Sequence, residues 1–181
     1  MQLIKTNQML PLSKVLFLFL FLSSAVFAQE QMSLNDQKMI HATTLWSFAS
    51  DTYFYSGSLK VQIGNNGKGG TLLLQVQTSE PTFYIGGTVY LFLKDGNVIT
   101  CTDKNARSIS EKMIQAYYII TPSEINLLKK DQLTDVRFKI NGDETQFSSP
   151  TGYFTARNEI RSFGLPDKTF DTVNEIKQLF N

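Results

Sequence analysis

The chain has 181 residues, with 17 Lys and Arg against 16 Asp and Glu, one histidine and one cysteine. A balance this even speaks against the basic stripe on which nucleic-acid binding rests, and no cation run longer than Lys129-Lys130 is present to seek anionic lipid. A single cysteine excludes an intrachain disulfide, so an apolar core has to hold the fold unaided.

At the N-terminus, Lys5 and Lys14 precede the apolar run Val15–Leu22, and the run closes on the small-residue end Val26-Phe27-Ala28. About 14 residues from Val15 to Ala28 are too few to span a bilayer, whereas Val and Ala suit positions −3 and −1 of a signal-peptidase site. Residues 1–28 are therefore expected to be a signal peptide cleaved before Gln29. Both lysines leave with it, so 15 basic residues face 16 acidic ones and the exported chain is near −1. Cys101 lies far from the cleavage point and is not a lipid-attachment cysteine, and no Asn begins an Asn-x-Ser/Thr triplet. The expectation is an exported, soluble bacterial protein, periplasmic or extracellular, with a flexible leader over 29–40 and a single β-rich domain over 41–181.

In chain order, Leu59, Val61 and Ile63 alternate with Ser58, Lys60 and Gln62, which predicts a strand with one buried face. Gly64–Gly70 is a turn-rich loop, and Leu72, Leu74 and Val76 return as the second arm of a hairpin. Thr88–Leu93 is apolar on both sides and predicts a central strand covered on both faces. Asp95-Gly96 then turns into Val98–Cys101. Thr102–Ile114 reads as a long connection, and Gln115–Ile120 as a further strand. Thr121-Pro122-Ser123-Glu124 carries a capping box with proline at the first helical position, predicting a short helix to about Lys130. Thr134, Val136, Phe138 and Ile140 alternate with charged residues up to the Asn141-Gly142 turn, and Thr145–Ser149 is expected to complete that hairpin. Phe170, Val173, Ile176 and Leu179 or Phe180 recur at helical spacing after Pro166-Asp167, predicting a terminal helix on the sheet. The class is mostly antiparallel β, or α+β: a hairpin-built sheet or sandwich with a short helix and a C-terminal helix.

No catalytic, cofactor or metal site emerges. The Gly64–Gly70 loop has only two residues between a Gly and the Gly-Lys pair, and Lys68 is followed by Gly69, so it is not a phosphate cradle. Asp95, Asn97, Asp103, Asn141, Asp143 and Glu144 offer oxygens to calcium, but none fits the twelve-residue calcium loop, and turns enrich these residues anyway. His41 and Cys101 are the only thiol-imidazole pair, and Cys101 shares a strand face with Ile99 as a small buried hydrophobe. Asp131 with Asp135 is a carboxylate pair of the type used in glycoside hydrolysis. Trp46, Phe48, Tyr53, Phe54 and Tyr55 either fill the core or form a stacking platform for sugars. Binding residues are expected on the Gly64–Gly70 and Thr102–Ile114 loops. A transmembrane barrel is disfavoured because lipid-facing alternation is not sustained over long strands.

The stretch Gly86-Gly87-Thr88-Val89-Tyr90-Leu91-Phe92-Leu93-Lys94-Asp95-Gly96-Asn97-Val98-Ile99 is followed by Tyr118-Ile119-Ile120-Thr121-Pro122-Ser123-Glu124 and Asp135-Val136-Arg137-Phe138. Over roughly residues 57–141 this resembles a pattern in uncharacterised exported proteins of Gram-negative bacteria. The resemblance implies a recurring β-rich unit with a short helix and carries no assigned activity, cofactor or site residue. The expected function is that of a non-enzymatic binding or accessory domain of the envelope, with a protein or a glycan as partner. The alternative is a small envelope-polymer hydrolase using paired carboxylates.

Overall fold

A computed structural model describes residues 30–34, 38–50, 58–78, 80–110, 112–145, 151–160 and 168–181. The expected signal peptide, the aromatics Tyr53, Phe54 and Tyr55, the Pro166-Asp167 helix start and most of the Thr145–Ser149 strand lie outside these residues.

Among the described residues, twelve strands join in one antiparallel sheet: β1 (Glu30–Ser33), β2 (Met39–Ala42), β3 (Trp46–Ser50), β4 (Ser58–Asn65), β5 (Gly70–Gln77), β6 (Tyr84–Ile85), β7 (Val89–Leu93), β8 (Val98–Cys101), β9 (Asp103–Ser110), β10 (Met113–Ile120), β11 (Leu133–Asn141) and β12 (Gly152–Arg157). Two helices complete the fold, α1 (Pro122–Leu128) and α2 (Thr172–Leu179). The main hydrogen-bonded path runs β8-β7-β11-β12-β3-β4-β5-β10-β9. Its two ends, β8 and β9, are separated in sequence by Thr102 alone, so the sheet curls on itself and is nearly closed. The mostly antiparallel β-rich α+β class is as expected. Of the two architectures expected, one continuous sheet is found and not a two-sheet sandwich.

The interior follows from period-two alternation. Leu59, Val61 and Ile63 of β4, Leu72, Leu74 and Val76 of β5, Val89 and Leu91 of β7, and Val136, Phe138 and Ile140 of β11 all point into one core. Trp46, Phe48 and Tyr118 add the largest buried side chains. A nearly closed sheet of this size, nine strands along its main path, has an interior that such side chains fill.

Both helices sit at one end. Thr121 caps α1 through the expected capping box, its Oγ1 accepting from Glu124 N at 3.4 Å while its own N–H donates to Glu124 Oε2 at 2.7 Å. Ile125 and Leu128 turn inward from α1, and Thr172, Ile176 and Leu179 from α2. Leu133 N donates to Thr172 Oγ1 at 3.1 Å and Lys129 Nζ to the Phe180 carbonyl at 2.7 Å, which holds α2 against the start of β11 and the C-terminal end of α1.

Three expectations change. β7 is next to the end of the path, and its outward residues Tyr90 and Phe92 are only half-buried, because among the described residues both helices cap the end of the sheet and neither covers this outer face. Thr102–Ile114 is no loop: Asp103–Ser110 forms β9, paired with β10, and a register shift at Tyr117/Tyr118 absorbs its irregularity. The partner of β11 after the Asn141-Gly142 turn is Gly152–Arg157, later than the expected Thr145–Ser149.

The segment expected as a leader also contains structure. β1 and β2 form a hairpin, with Glu30 opposite Ala42 and Ser33 opposite Met39, and it lies on the outer face of the sheet. Met32, Ile40, Ala42 and Leu73 make a second, small apolar cluster there. Gly64 permits this approach. A Cβ at that position would stand 2.5 Å from both Ile40 Cδ1 and Met32 Cε.

Candidate binding face

Strand alternation that sends Val136, Phe138 and Ile140 inward sends Asp135, Arg137 and Lys139 outward on β11. On β12, Phe154 and Ala156 are buried while Tyr153, Thr155 and Arg157 face solvent. Register then fixes the neighbours. Tyr90 of β7 stands beside Arg137, which stands beside Thr155, and Phe92 stands beside Asp135, which stands beside Arg157. Lys139 is directly opposite Tyr153.

The side chains gather around Tyr153, which is 54% exposed. The Arg137 guanidinium carbon lies 5.1 Å from the Tyr153 ring centroid, and Lys139 Nζ lies 5.8 Å from it. Cations at these distances are attracted by the ring quadrupole, which sets Arg137 and Lys139 around one exposed aromatic. Arg157 Nε is 3.8 Å from Asp135 Oδ1. Asp135 thus faces one of three cations on this face, and Glu159 lies at its border. Beside the face, Asp135, Arg157, Asn158 and Glu159 border an open cleft of about 190 Å³. Asn158 is buried and fixes the cleft wall, donating to the Leu133 carbonyl at 2.9 Å and to the Phe170 carbonyl at 3.0 Å while accepting from Phe170 N at 2.8 Å.

Other residues singled out in the sequence go elsewhere. In the Gly64–Gly70 stretch, Asn65 and Asn66 brace the turn by accepting from Gly67 N and Lys68 N, each at 2.9 Å. The candidate calcium oxygens are dispersed over separate contacts: Asp95 accepts from Asn97 N, Asp103 from Gly87 N, and Glu144 from Thr151 N. Those backbone N–H groups hold the Asp95 and Glu144 carboxyls below the usual range, since they favour the charged form. Among the described residues no group of three or more His, Cys, Asp and Glu is placed to hold a metal ion.

His41 is exposed on the outer hairpin, whereas Cys101 is buried in the core, and burial pushes its thiol up to about 12. The structure does not bring the two together. Asp131 accepts from Asp95 N at the capped end, while Asp135 faces Arg157, so this carboxylate pair is divided between two structural contacts. Trp46 and Phe48 are fully buried and stacked with centroids 6.3 Å apart, so they form no exposed platform.

The outward face was missed because sequence alternation identifies a solvent side but not its cross-strand neighbours. Pairing β11 with residues 145–149 left Tyr153 unassigned. Comparison of the chain with protein-family models, with curated proteins and with solved structures finds no match.

Proposed function

We propose that this chain is an exported, non-enzymatic binding domain of the bacterial envelope, acting in the periplasm or outside the cell, with the outward face of β7, β11 and β12 as its binding surface. The carrying observation is the gathering of Arg137 and Lys139 around the exposed ring of Tyr153. Isolated surface cations are ordinary, but an aromatic with two cations over its ring offers hydrogen bonds, charge and a flat apolar surface at one place. The interior supports this reading from the other side: Trp46, Phe48, Tyr118 and Phe138 fill it, leaving the outer faces and rims to meet a partner.

The test begins with production of the full-length chain in a Gram-negative host. The exported product is expected to have the mass of residues 29–181 and to sediment with washed envelope. Replacing Arg137 and Lys139 together by Gln is expected to release it to the supernatant. A product retaining residues 1–28 in the cytoplasm, or sedimentation indifferent to both substitutions, overturns the proposal.

A second reading is hydrolysis of an envelope polymer, favoured by Asp135 and Glu159 both bordering the 190 Å³ cleft. Its test is release of new reducing ends from cell-wall polysaccharide, abolished by Asp135→Asn and by Glu159→Gln.

A further inference from the structure

We infer that the ligand of this face is a carboxylated polysaccharide, an acidic polymer of the uronic-acid type. The inference rests on the binding-domain reading above and names the ligand class for the same surface.

The charge argument comes first. Arg137, Lys139 and Arg157 stand on two adjacent strands; Asp135 stands opposite Arg157 and Glu159 borders the cleft beyond it, so the acids lie toward one end of the face and the Arg137–Lys139 end is cationic. An anionic ligand is complementary to it. Arg137 brings a planar fork that matches a carboxylate with two parallel hydrogen bonds, and Lys139 a compact point charge two residues along the strand, about 7 Å away.

Geometry then separates the classes of anion. The surface is the face of a sheet, where backbone N–H and C=O groups are already paired along the ladders of β7, β11 and β12. An extended acidic peptide laid on it finds no backbone partners for its own amides, and those amides need them. A saccharide carries its polar groups around the ring and presents an apolar ring face, so it can sit against Tyr153 while its carboxylate meets Arg137 or Lys139. An anionic bilayer asks for a larger basic cluster of about 4–8 cations, whereas this face has three cations with acids toward one end. Tyr90 and Thr155, flanking Arg137 in register, extend the polar rim that a sugar chain would cross.

The experiment uses the exported product of the full-length chain and immobilised polygalacturonate, with dextran as a neutral polysaccharide and polyglutamate as a carboxylate polymer without sugar rings. Binding is expected to polygalacturonate but not dextran, to weaken as salt is raised, and to be several-fold weaker for polyglutamate. Arg137→Gln with Lys139→Gln, and separately Tyr153→Ala, are each expected to weaken polygalacturonate binding about tenfold or more, the scale of a central Arg or Tyr contact. Tyr153→Phe keeps the ring and is expected to restore most of the affinity. Lys68→Gln with Lys104→Gln removes the same charge from exposed positions elsewhere and is expected to change little.

Polyglutamate bound as tightly as polygalacturonate, or binding unaffected by Tyr153→Ala, overturns the saccharide inference in favour of charge alone. If no polysaccharide binds while the Arg137 and Lys139 substitutions still release the protein from envelope, the ligand class is wrong and the binding face stands. If those substitutions leave envelope binding unchanged, the face itself is wrong.

Discussion

Glu175 of the C-terminal helix accepts a hydrogen bond from the indole Nε1 of Trp46 at 3.0 Å, joining residues 129 positions apart. The same carboxylate takes the N–H and the hydroxyl of Thr44, both at 2.8 Å, so one acidic side chain ties α2 to the start of β3. Trp46 is fully buried, and without Glu175 its indole N–H loses the carboxylate that accepts from it. Leaving a buried donor unpaired costs about 1–3 kcal/mol. Glu175→Ala is expected to lower the melting midpoint by several degrees, at about 2–4 °C per kcal/mol for a domain of this size. Glu175→Gln keeps one acceptor oxygen and is expected to lose less. Trp46 is the only tryptophan, so its emission reports the change directly. Equal melting of the Ala variant and the parent sinks the account.

The second closure of the sheet is made by side chains. Arg107 Nε donates to the Ile85 carbonyl at 2.8 Å, its guanidinium also meets Asp103, and Asp103 accepts from Gly87 N at 2.8 Å. Tyr118 Oη adds a bond to the Gly87 carbonyl at 3.2 Å. These contacts join residues 85–87 to β9 and β10 where no strand ladder runs. Charged hydrogen bonds of this kind contribute about 1.5–3 kcal/mol each, so Arg107→Ala is expected to open the seam locally. Hydrogen exchange at Gly87 and along β9 is expected to quicken while β4 and β5 stay protected. Lysine lacks the fork needed to serve Ile85 and Asp103 together, so Arg107→Lys is expected not to restore protection. Uniform exchange change across the sheet overturns this placement.

These closures also mark where the sequence was legible. Leu59-Val61-Ile63, Val136-Phe138-Ile140 and the Thr121 capping box are local patterns whose physics lies within a few residues, and each element formed as read. β9 did not announce itself because Asp103, Asn105 and Arg107 bond to turns and to the seam and so lack an apolar rhythm. Asn105 and Lys112 also take positive φ, a conformation the sequence does not advertise for lysine. The Tyr153 cluster needed the β11–β12 register, which the Asn141-Gly142 turn signature does not fix, because β12 begins only at Gly152. Likewise, the polar look of 30–38 hid Met32, whose burial depends on Gly64 far along the chain.

Gly64 tests that last relationship. A β-branched side chain there is driven into Ile40 and Met32, the two residues that seat the outer hairpin. Overpacking of this type costs about 1–3 kcal/mol, but here the hairpin can shift, because the β2–β4 ladder is the one pair Ala42 with Gly64, supplemented by Thr43 N donating to the Ile63 carbonyl and Gln62 Nε2 to Glu30. Gly64→Val is expected to free the Glu30–Ala42 amides to exchange and to expose Tyr117, whose hydroxyl otherwise donates to the Ser33 carbonyl at 3.3 Å. Core amides on β5 are expected to keep most of their protection. Unchanged exchange over residues 30–42 refutes the role given to Gly64.

Cys101 makes the core sensitive to alkali. Burial is the first cause holding its thiol up at about 12 against a usual 9.0, with the Glu124 charge adding to it, and Tyr118 nearby is raised mainly by burial as well. A thiol whose folded value lies above its unfolded one stabilises the fold fully below about pH 9, and that stabilisation is lost as pH rises from 9 toward 12. In that window the unfolded chain has released a proton that the folded chain retains, so unfolding free energy is expected to fall by about 1.4 kcal/mol per pH unit from this group. Cys101→Ala shifts the whole curve by its packing change but is expected to flatten the slope between pH 9 and 10, before Tyr118 takes over. The same burial keeps the thiolate scarce at neutral pH, so a thiol reagent is expected to modify Cys101 only as fast as the protein opens. Rapid labelling of the folded protein at pH 8, or a slope that Cys101→Ala leaves intact, places the sulfur outside the core described.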